Sequence, residues 1–173
     1  MRAMKEIDFR RDLLPLKDKL FRLAARILLD RAEAEDVTQE TLLRVWERKD
    51  SLDTIRSLEN FCLTVCRNLA LDRVRSREAT QLSLEAGGID RPDTAPSAQE
   101  RMEQEERRQR VARIFDRLPE KLRTVMQLRD IEEKTTRETA DIMGLTEENV
   151  KVMLFRARKT VREAYDKQEN NGL

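Results

Sequence analysis

The sequence predicts an all-α protein made of two small helical units on either side of a polar spacer. Three observations carry this expectation. The 173 residues include only four Gly, four Pro and 4% aromatics, too few for a strand-and-turn protein. Leu, Arg, Glu, Ala and Lys dominate, and all are good helix formers. Apolar residues recur at spacings of three and four, which is the helical period. With 39% apolar residues the chain has material for modest cores.

In the first unit, Leu13, Leu16, Leu20, Leu23, Ala24, Ile27 and Leu28 fall at helical spacing, and Pro15 should kink or end that helix near its first turns. Asp30 starts a second helix with Glu33 three positions on, a capping-box-like pair, followed by the stripe Ala34, Val37, Thr41, Leu42 and Val45. Ser57 caps a third helix with Leu58, Phe61, Val65, Leu69 and Val74 down one side. Together these make a three-helix bundle over residues 1–80. The segment QLSLEAGGIDRPDTAPS holds two of the four Gly and two of the four Pro, and opens a flexible acidic linker over 81–106. Apolar spacing resumes at Val111, Ile114, Phe115 and Leu118, which places the second unit at 107–167 and leaves 168–173 as a frayed tail.

No stretch approaches the roughly 20 apolar residues of a membrane-spanning helix, and the start MRAMKEIDFRRDLL is charged where a secretory signal would be apolar. No membrane insertion and a cytoplasmic location are expected. The absence of His removes the commonest general base and metal ligand together. Cys62 and Cys66 lie four apart in an apolar stretch with nothing to complete a metal site, and read as small core residues. No nucleophile, phosphate loop or pair of perturbed carboxylates is visible, so neither an enzyme nor a cofactor is expected.

The net charge of +1 is unevenly spread: residues 1–80 carry +2, residues 81–106 carry −5 and residues 107–173 carry +4. Two mildly basic ends around an acidic middle suit two anionic contacts. The third helix is apolar over LENFCLTVC and basic over RNLALDRVRSR, where Asn68 and Asp72 share a face with Arg73, Arg75 and Arg77. Asn and Asp are short side chains that can read base edges, whereas cations at a helix end also simply complement its dipole.

The clearest pattern is TTRETADIMGLTEENVKVMLFRARKTVRE. Thr135 and Glu138 form a capping box, Gly144 suits a left-handed turn, and Thr146 caps a new helix, which together spell helix-turn-helix. At 100° per residue, Val150, Met153, Leu154, Ala157 and Val161 make the core stripe, so Val152, Phe155, Arg156 and Lys159 point outward. From Val150 to Arg162 there are five basic residues and no acidic one. A solvated face would normally mix in acids, and Val152 and Phe155 could cover a thymine methyl or a sugar.

On these motifs the chain resembles the extracytoplasmic-function (ECF, group four) sigma factors of bacterial RNA polymerase. LFRLAARILLDRAEAEDVTQETLLRVWER is similar to the family's region two, NFCLTVCRNLALDRVRSR to its promoter-melting helix, and the stretch from LPEKLR to KTVRE to its region four. The resemblance implies a transcription initiation factor that binds core polymerase, directs it to a two-element promoter and helps open the DNA. It implies that Asp36, Gln39, Glu40, Leu43 and Trp46 dock on the clamp helices of the largest subunit, with the flap of the second-largest subunit as a further contact. Asp36 and Glu40, like charges at i, i+4, would favour a basic partner. Core packing is the competing role for Leu43 and Trp46. The minus-ten element would be met by Phe61, Asn68, Asp72, Arg73, Arg75 and Arg77, with a base flipped toward the loop DSLDTIRS. Many members carry a WL dipeptide where this chain has Phe61-Cys62. The minus-thirty-five element would be read by Lys151, Val152, Phe155 and Arg156, while Arg158 and Lys159 hold phosphates. Val152 stands where members often have a hydroxyl residue, so preference there should rest on methyl contact. An anti-sigma factor is a partner the family allows. The competing reading from the residues alone is a helix-turn-helix regulator whose first 80 residues receive a signal or dimerise. A helical adaptor that binds only proteins is a third.

Overall fold

The computed structural model describes residues 6–81 and 99–171, and no strand is present among them. The N-terminal unit is a bundle of α1 (Lys17–Leu28), α2 (Arg31–Glu47) and α3 (Leu58–Gln81). The C-terminal unit contains α4 (Gln99–Asp116), α5 (Glu120–Met126), α6 (Thr136–Met143) and α7 (Glu147–Asn171). The acidic run 99–106, which the sequence reading put in the linker, is the first part of α4. Its charged residues are good helix formers, and a helix with little apolar content shows no period to read. Residues 82–98, the rest of the expected linker, lie outside the described residues.

Pro15 sits at the start of a short 3-10 turn, Leu14–Leu16, and α1 begins immediately after it. The ring sets φ where a first turn can use it and removes an N–H that would have no partner. The Asp30 side chain accepts from the Glu33 N–H at 3.0 Å. Glu33 does not close the box, because its carboxylate pairs with Arg77 instead. Ser57 caps α3 by accepting from the Asn60 N–H at 3.1 Å.

The bundle core is Leu20, Leu23, Ala24 and Ile27 of α1 with Ala34, Val37, Thr41, Leu42 and Val45 of α2. On α3 the deepest residues are Cys62, Leu63, Cys66 and Ala70, all fully buried, whereas Leu58, Phe61, Val65 and Val74 of the expected stripe are only half-buried. The inner face is therefore rotated from the expected one, because the small thiols and Ala70 let α3 approach closely. Burial, with Glu59 nearby, pushes the Cys62 thiol up to about 12. Burial does the same to Cys66, to about 12, although the Thr41 hydroxyl partly offsets it.

The two units meet along a seam in which charged side chains are buried. Arg123 of α5 is 9% exposed, Gln127 1%, Glu132 8% and Lys134 7%. The Arg123 guanidinium donates to the carbonyls of Arg26 (2.9 Å) and Ile27 (3.1 Å) at the end of α1, and to that of Leu118 (2.6 Å) just past α4. Arg22 grips Glu132 in a two-point pair at 2.7 and 2.9 Å. Lys134 pairs with Glu59, which also accepts from Lys19 at 2.6 Å, and Asn60 donates to Glu138 at 2.7 Å. Phe115 lies under the Arg26 guanidinium, 4.1 Å from its ring centre.

Arg123→Met would keep the volume and leave those carbonyls without their donor, and should lower unfolding stability by about 2–3 kcal/mol in denaturant titration. The buried thiols should not react with a disulfide reagent near pH 8 in the native protein, and both should react once it is unfolded.

Candidate nucleic-acid interface

The helix-turn-helix forms as its local chemistry dictates. Thr135 Oγ1 accepts from the Glu138 N–H at 3.0 Å, and the Glu138 carboxylate accepts from the Thr135 N–H at 3.1 Å, which completes the capping box. Hydrogen bonds from Asn60 and Thr135 hold the Glu138 carboxyl below its ordinary pKa. Gly144 ends α6 at φ 66°, and the Leu145 N–H reaches back to the Ala140 carbonyl at 2.9 Å. A Cβ there would touch nothing within 4 Å, so the demand for glycine is one of backbone conformation. Thr146 caps α7 through the Asn149 N–H at 3.1 Å.

On α7, Val150, Leu154 and Ala157 are buried and Met153 and Val161 half-buried, as the periodicity predicts. Lys151, Val152, Phe155, Arg156 and Lys159 are exposed, Phe155 by 68% and Val152 by 47%. A phenylalanine two-thirds in water on a basic helix has no role in the fold. Arg158 is placed differently from its neighbours. Its guanidinium turns to Asp130, which raises its pKa, so the charge is already matched within the unit.

In the N-terminal unit the structure gathers Phe61, Asn68 and Asp72 around one recess of about 160 Å³ between α2 and α3. Arg44 of α2 and Arg48 just past its end close it, two residues the sequence reading did not single out. Their spacing of four, which puts both on one face, was the signal available. Asn68 and Asp72 are exposed, and Arg75 stands 3.6 Å from Asp72. Two cations of the expected set face inward. Arg77 donates to the Leu28 carbonyl at 2.9 Å and pairs with Glu33, while Arg73 lies between Asp36 (3.8 Å) and Glu40 (3.6 Å).

That last contact joins the two expected sites. Asp36, Gln39 and Leu43 are exposed on α2, Leu43 by 57%, and Glu40 is half-buried and also takes Arg44 at 2.8 Å. The carboxylates of Asp36 and Glu40 are thus partly matched by Arg73 from within the chain. Trp46 is half-buried, edge-on to Phe9 at 5.7 Å, with Lys49 over its ring at 3.7 Å. Its indole is part of the bundle as well as its surface. Among the described residues no group of three or more His, Cys, Asp or Glu could hold a metal ion, and no helix is long and apolar enough to cross a membrane.

Comparison with known proteins gives two family matches in chain order, Sigma-70 region 2 over residues 15–80 and Sigma-70, region 4 over residues 108–161. The chain is 32% identical over 149 residues to the ECF RNA polymerase sigma factor SigL of Mycobacterium tuberculosis, covering 83% of this chain and 80% of that one. The chain belongs to the ECF sigma factors. As a member, it is a transcription initiation factor that directs RNA polymerase. It is 28% identical to the ECF RNA polymerase sigma factor SigW of Bacillus subtilis, over 84% of this chain and 82% of SigW. To the probable RNA polymerase sigma factor RfaY of Xanthomonas campestris it is 34% identical over 81% of its own length, but spans only 36% of that longer protein. In fold it is similar to the sigma factor RpoE solved with the anti-sigma factor NepR from Bartonella quintana, with a TM-score of 0.74, 23% identity, and 92% and 97% of the two chains covered. CnrH, solved with the cytosolic domain of CnrY, gives a TM-score of 0.66 at 22% identity over 92% of this sigma factor and 88% of CnrH.

Gly144→Ala should cost about 1 kcal/mol of stability, because an L side chain resists the left-handed region, and Gly144→Asn should cost less. Thermal unfolding of the three proteins side by side checks the order.

Proposed function

We propose that this sigma factor divides promoter recognition between its two units and docks on core polymerase through the exposed face of α2. The observation that carries the reading is that each unit exposes polar or apolar side chains the fold does not use: Asn68 and Asp72 at the α2–α3 recess, and Val152, Phe155 and Arg156 on α7. A regulator that binds DNA through its helix-turn-helix alone has no use for the first.

In this reading the recess takes a base lifted from the minus-ten region. Unstacking a base costs a few kcal/mol, and Phe61, the edges of Asn68 and Asp72, and the charges of Arg44 and Arg48 offset it by stacking, hydrogen bonding and phosphate attraction. Arg75, exposed beside Asp72, holds the backbone, whereas Arg73 and Arg77 act by tying α3 to Asp36, Glu40 and Glu33 of α2. On α7, Lys151 and Arg156 meet base edges and phosphates of the minus-thirty-five element, Val152 and Phe155 give apolar contact, and Lys159 holds a phosphate. Arg158 reaches DNA only by exchanging Asp130 for a phosphate. Asp36, Gln39, Glu40 and Leu43 face the clamp helices of the largest subunit, with Trp46 supporting them from beneath, and the C-terminal unit meets the flap of the second-largest subunit. The polymerase makes the bonds; this chain contributes no catalytic group and needs no cofactor. It works in the cytoplasm, where polymerase and promoter are. An anti-sigma factor is a further partner, as RpoE has in NepR.

Leu43→Ala removes an exposed side chain the fold does not use, so stability should stay within about 0.5 kcal/mol while affinity for sigma-free core polymerase falls about 5- to 30-fold in a fluorescence titration. Arg156→Glu should leave folding and core binding intact and abolish transcription from the protein's own promoter in a purified system. Wild-type activity in that variant would remove the proposed reading role of α7.

A further inference from the structure

The cations between Val150 and Arg162 on α7 are not all held alike. Lys151 and Arg156 are exposed and pair with no carboxylate among the described residues. Lys159 stands 3.9 Å from Glu163, one turn along the same helix, with both side chains well into solvent. Arg158 is gripped from another element. Its Nε donates to Asp130 Oδ2 at 3.1 Å and its Nη2 donates to Asp130 Oδ1, so the guanidinium fork closes on both carboxylate oxygens. That two-point geometry is the one in which an arginine takes a phosphate.

Of the two partners, Asp130 is the fixed one. It stands on the single helical turn Gln127–Ile131, which is anchored by the buried Gln127 and Leu128. The Glu132 N–H returns to the Gln127 carbonyl at 2.9 Å and the Lys134 N–H to that of Leu128 at 2.8 Å, while the Arg129 guanidinium donates to the Lys134 carbonyl. Glu133 adopts φ 56°, a left-handed value that a glutamate keeps only where its surroundings fix it. The carboxylate thus sits on a rigid support, whereas Arg158 meets it with a long, partly exposed side chain that can turn elsewhere.

Lys151, Arg158 and Arg162 are spaced by seven and four, which sets them along one flank of the exposed face of α7. A DNA strand following that flank brings a phosphate to the place where Asp130 already supplies an anion. The Arg158–Asp130 pair is neutral from a distance, and a duplex gains from Arg158 only the amount by which the phosphate contact exceeds the ion pair. After the exchange Asp130 faces the DNA with its charge unmatched.

We propose that Asp130 sets the DNA affinity of the minus-thirty-five face: its carboxylate is a built-in competitor for Arg158 against the DNA phosphate, and it keeps α7 from gripping arbitrary duplex. This rests on the reading of α7 given above. Asp130 acts through Arg158, as a positioning residue. Because the competitor belongs to the protein and not to a base sequence, it lowers affinity for every duplex and leaves sequence preference to Lys151, Val152, Phe155 and Arg156. A factor restrained in this way depends on its larger partner for its place on DNA.

The test is fluorescence anisotropy of a labelled duplex of arbitrary sequence, titrated with the full chain between about 50 and 200 mM salt. Asp130→Asn, which keeps the shape and removes the charge, should bind about three- to fivefold more tightly at the low end. Its log affinity should fall against log salt with a slope steeper by about 0.9, the value of one added phosphate contact. Asp130→Glu should stay near the wild type, and adding Arg158→Ala to Asp130→Asn should remove both the gain and the added slope. Asp166→Asn makes the same change in net charge from an exposed place further along α7, and should leave the slope unchanged. Circular dichroism should show the same helix content in each protein. A wild-type slope in Asp130→Asn, or a gain that survives Arg158→Ala, overturns the role of Asp130. The reading of α7 fails separately, and the proposal with it, if Arg156→Glu leaves duplex binding intact or if none of these proteins binds duplex.

Discussion

The last four carbonyls of a helix have no partner within it, and in this protein α1 ends in the interior, where water cannot serve all of them. Each is met by a different route. Ala25 accepts from the Leu29 N–H at 2.8 Å through a left-handed turn, Arg26 and Ile27 accept from Arg123, and Leu28 accepts from Arg77. Arg123 also finishes α4 through the carbonyl of Leu118. A planar guanidinium with five donors can close two helices at once, which a lysine ammonium cannot do with the same geometry. The packing of the two units follows from this, because a residue of the second supplies the end of a helix in the first.

Arg77 shows the same economy inside the bundle, and it changes how the basic end of α3 is understood. A chain that is 40% charged and carries a net +1 uses many of its cations on its own anions. Arg73 and Arg77 stand on the same basic run as Arg75, yet the first two are half-buried against Asp36, Glu40 and Glu33 of α2, whereas Arg75 meets only the exposed Asp72 of its own helix. On α7 the same distinction separates Arg158, matched to Asp130, from Arg156. On these two runs the cations left toward solvent include Arg75, beside Asn68 and Asp72, and Lys151, Arg156 and Lys159, beside Val152 and Phe155. A low net charge with local basic faces gives weak attraction to arbitrary DNA, and suits a factor whose placement depends on a larger partner.

Much of this was legible from residue order. Caps at Asp30, Ser57, Thr135 and Thr146, the turn at Gly144 and the outward set on α7 follow from local rules, since each involves residues within four positions of one another. The rotation of α3 onto Cys62, Cys66 and Ala70 was not, because it depends on how close α1 and α2 lie, and small residues look alike in a sequence whether they face a neighbour or water. The helical start of α4 was hidden by its charge. The seam was invisible for a different reason. Arg22 and Glu132 are 110 residues apart, as the separation of their contact records, and nothing local distinguishes a charge that will be buried from one that will be solvated.

A seam apolar throughout would have joined the units more firmly, since burying hydrocarbon yields roughly 25 cal/mol per Å² with nothing to rehydrate on opening. It would also have exposed a sticky surface whenever the units separated. Lys134 and Glu132 avoid both outcomes. Buried and paired they align the units, and exposed they are ordinary solvated side chains. The Glu59 carboxyl illustrates the balance: burial alone would raise its pKa, and Lys134 and Lys19 together bring it below the ordinary value. Its contribution to the closed form is therefore present above the ordinary carboxylate range and is lost as pH falls through the lowered value, so acid loosens the seam and neutral pH keeps it.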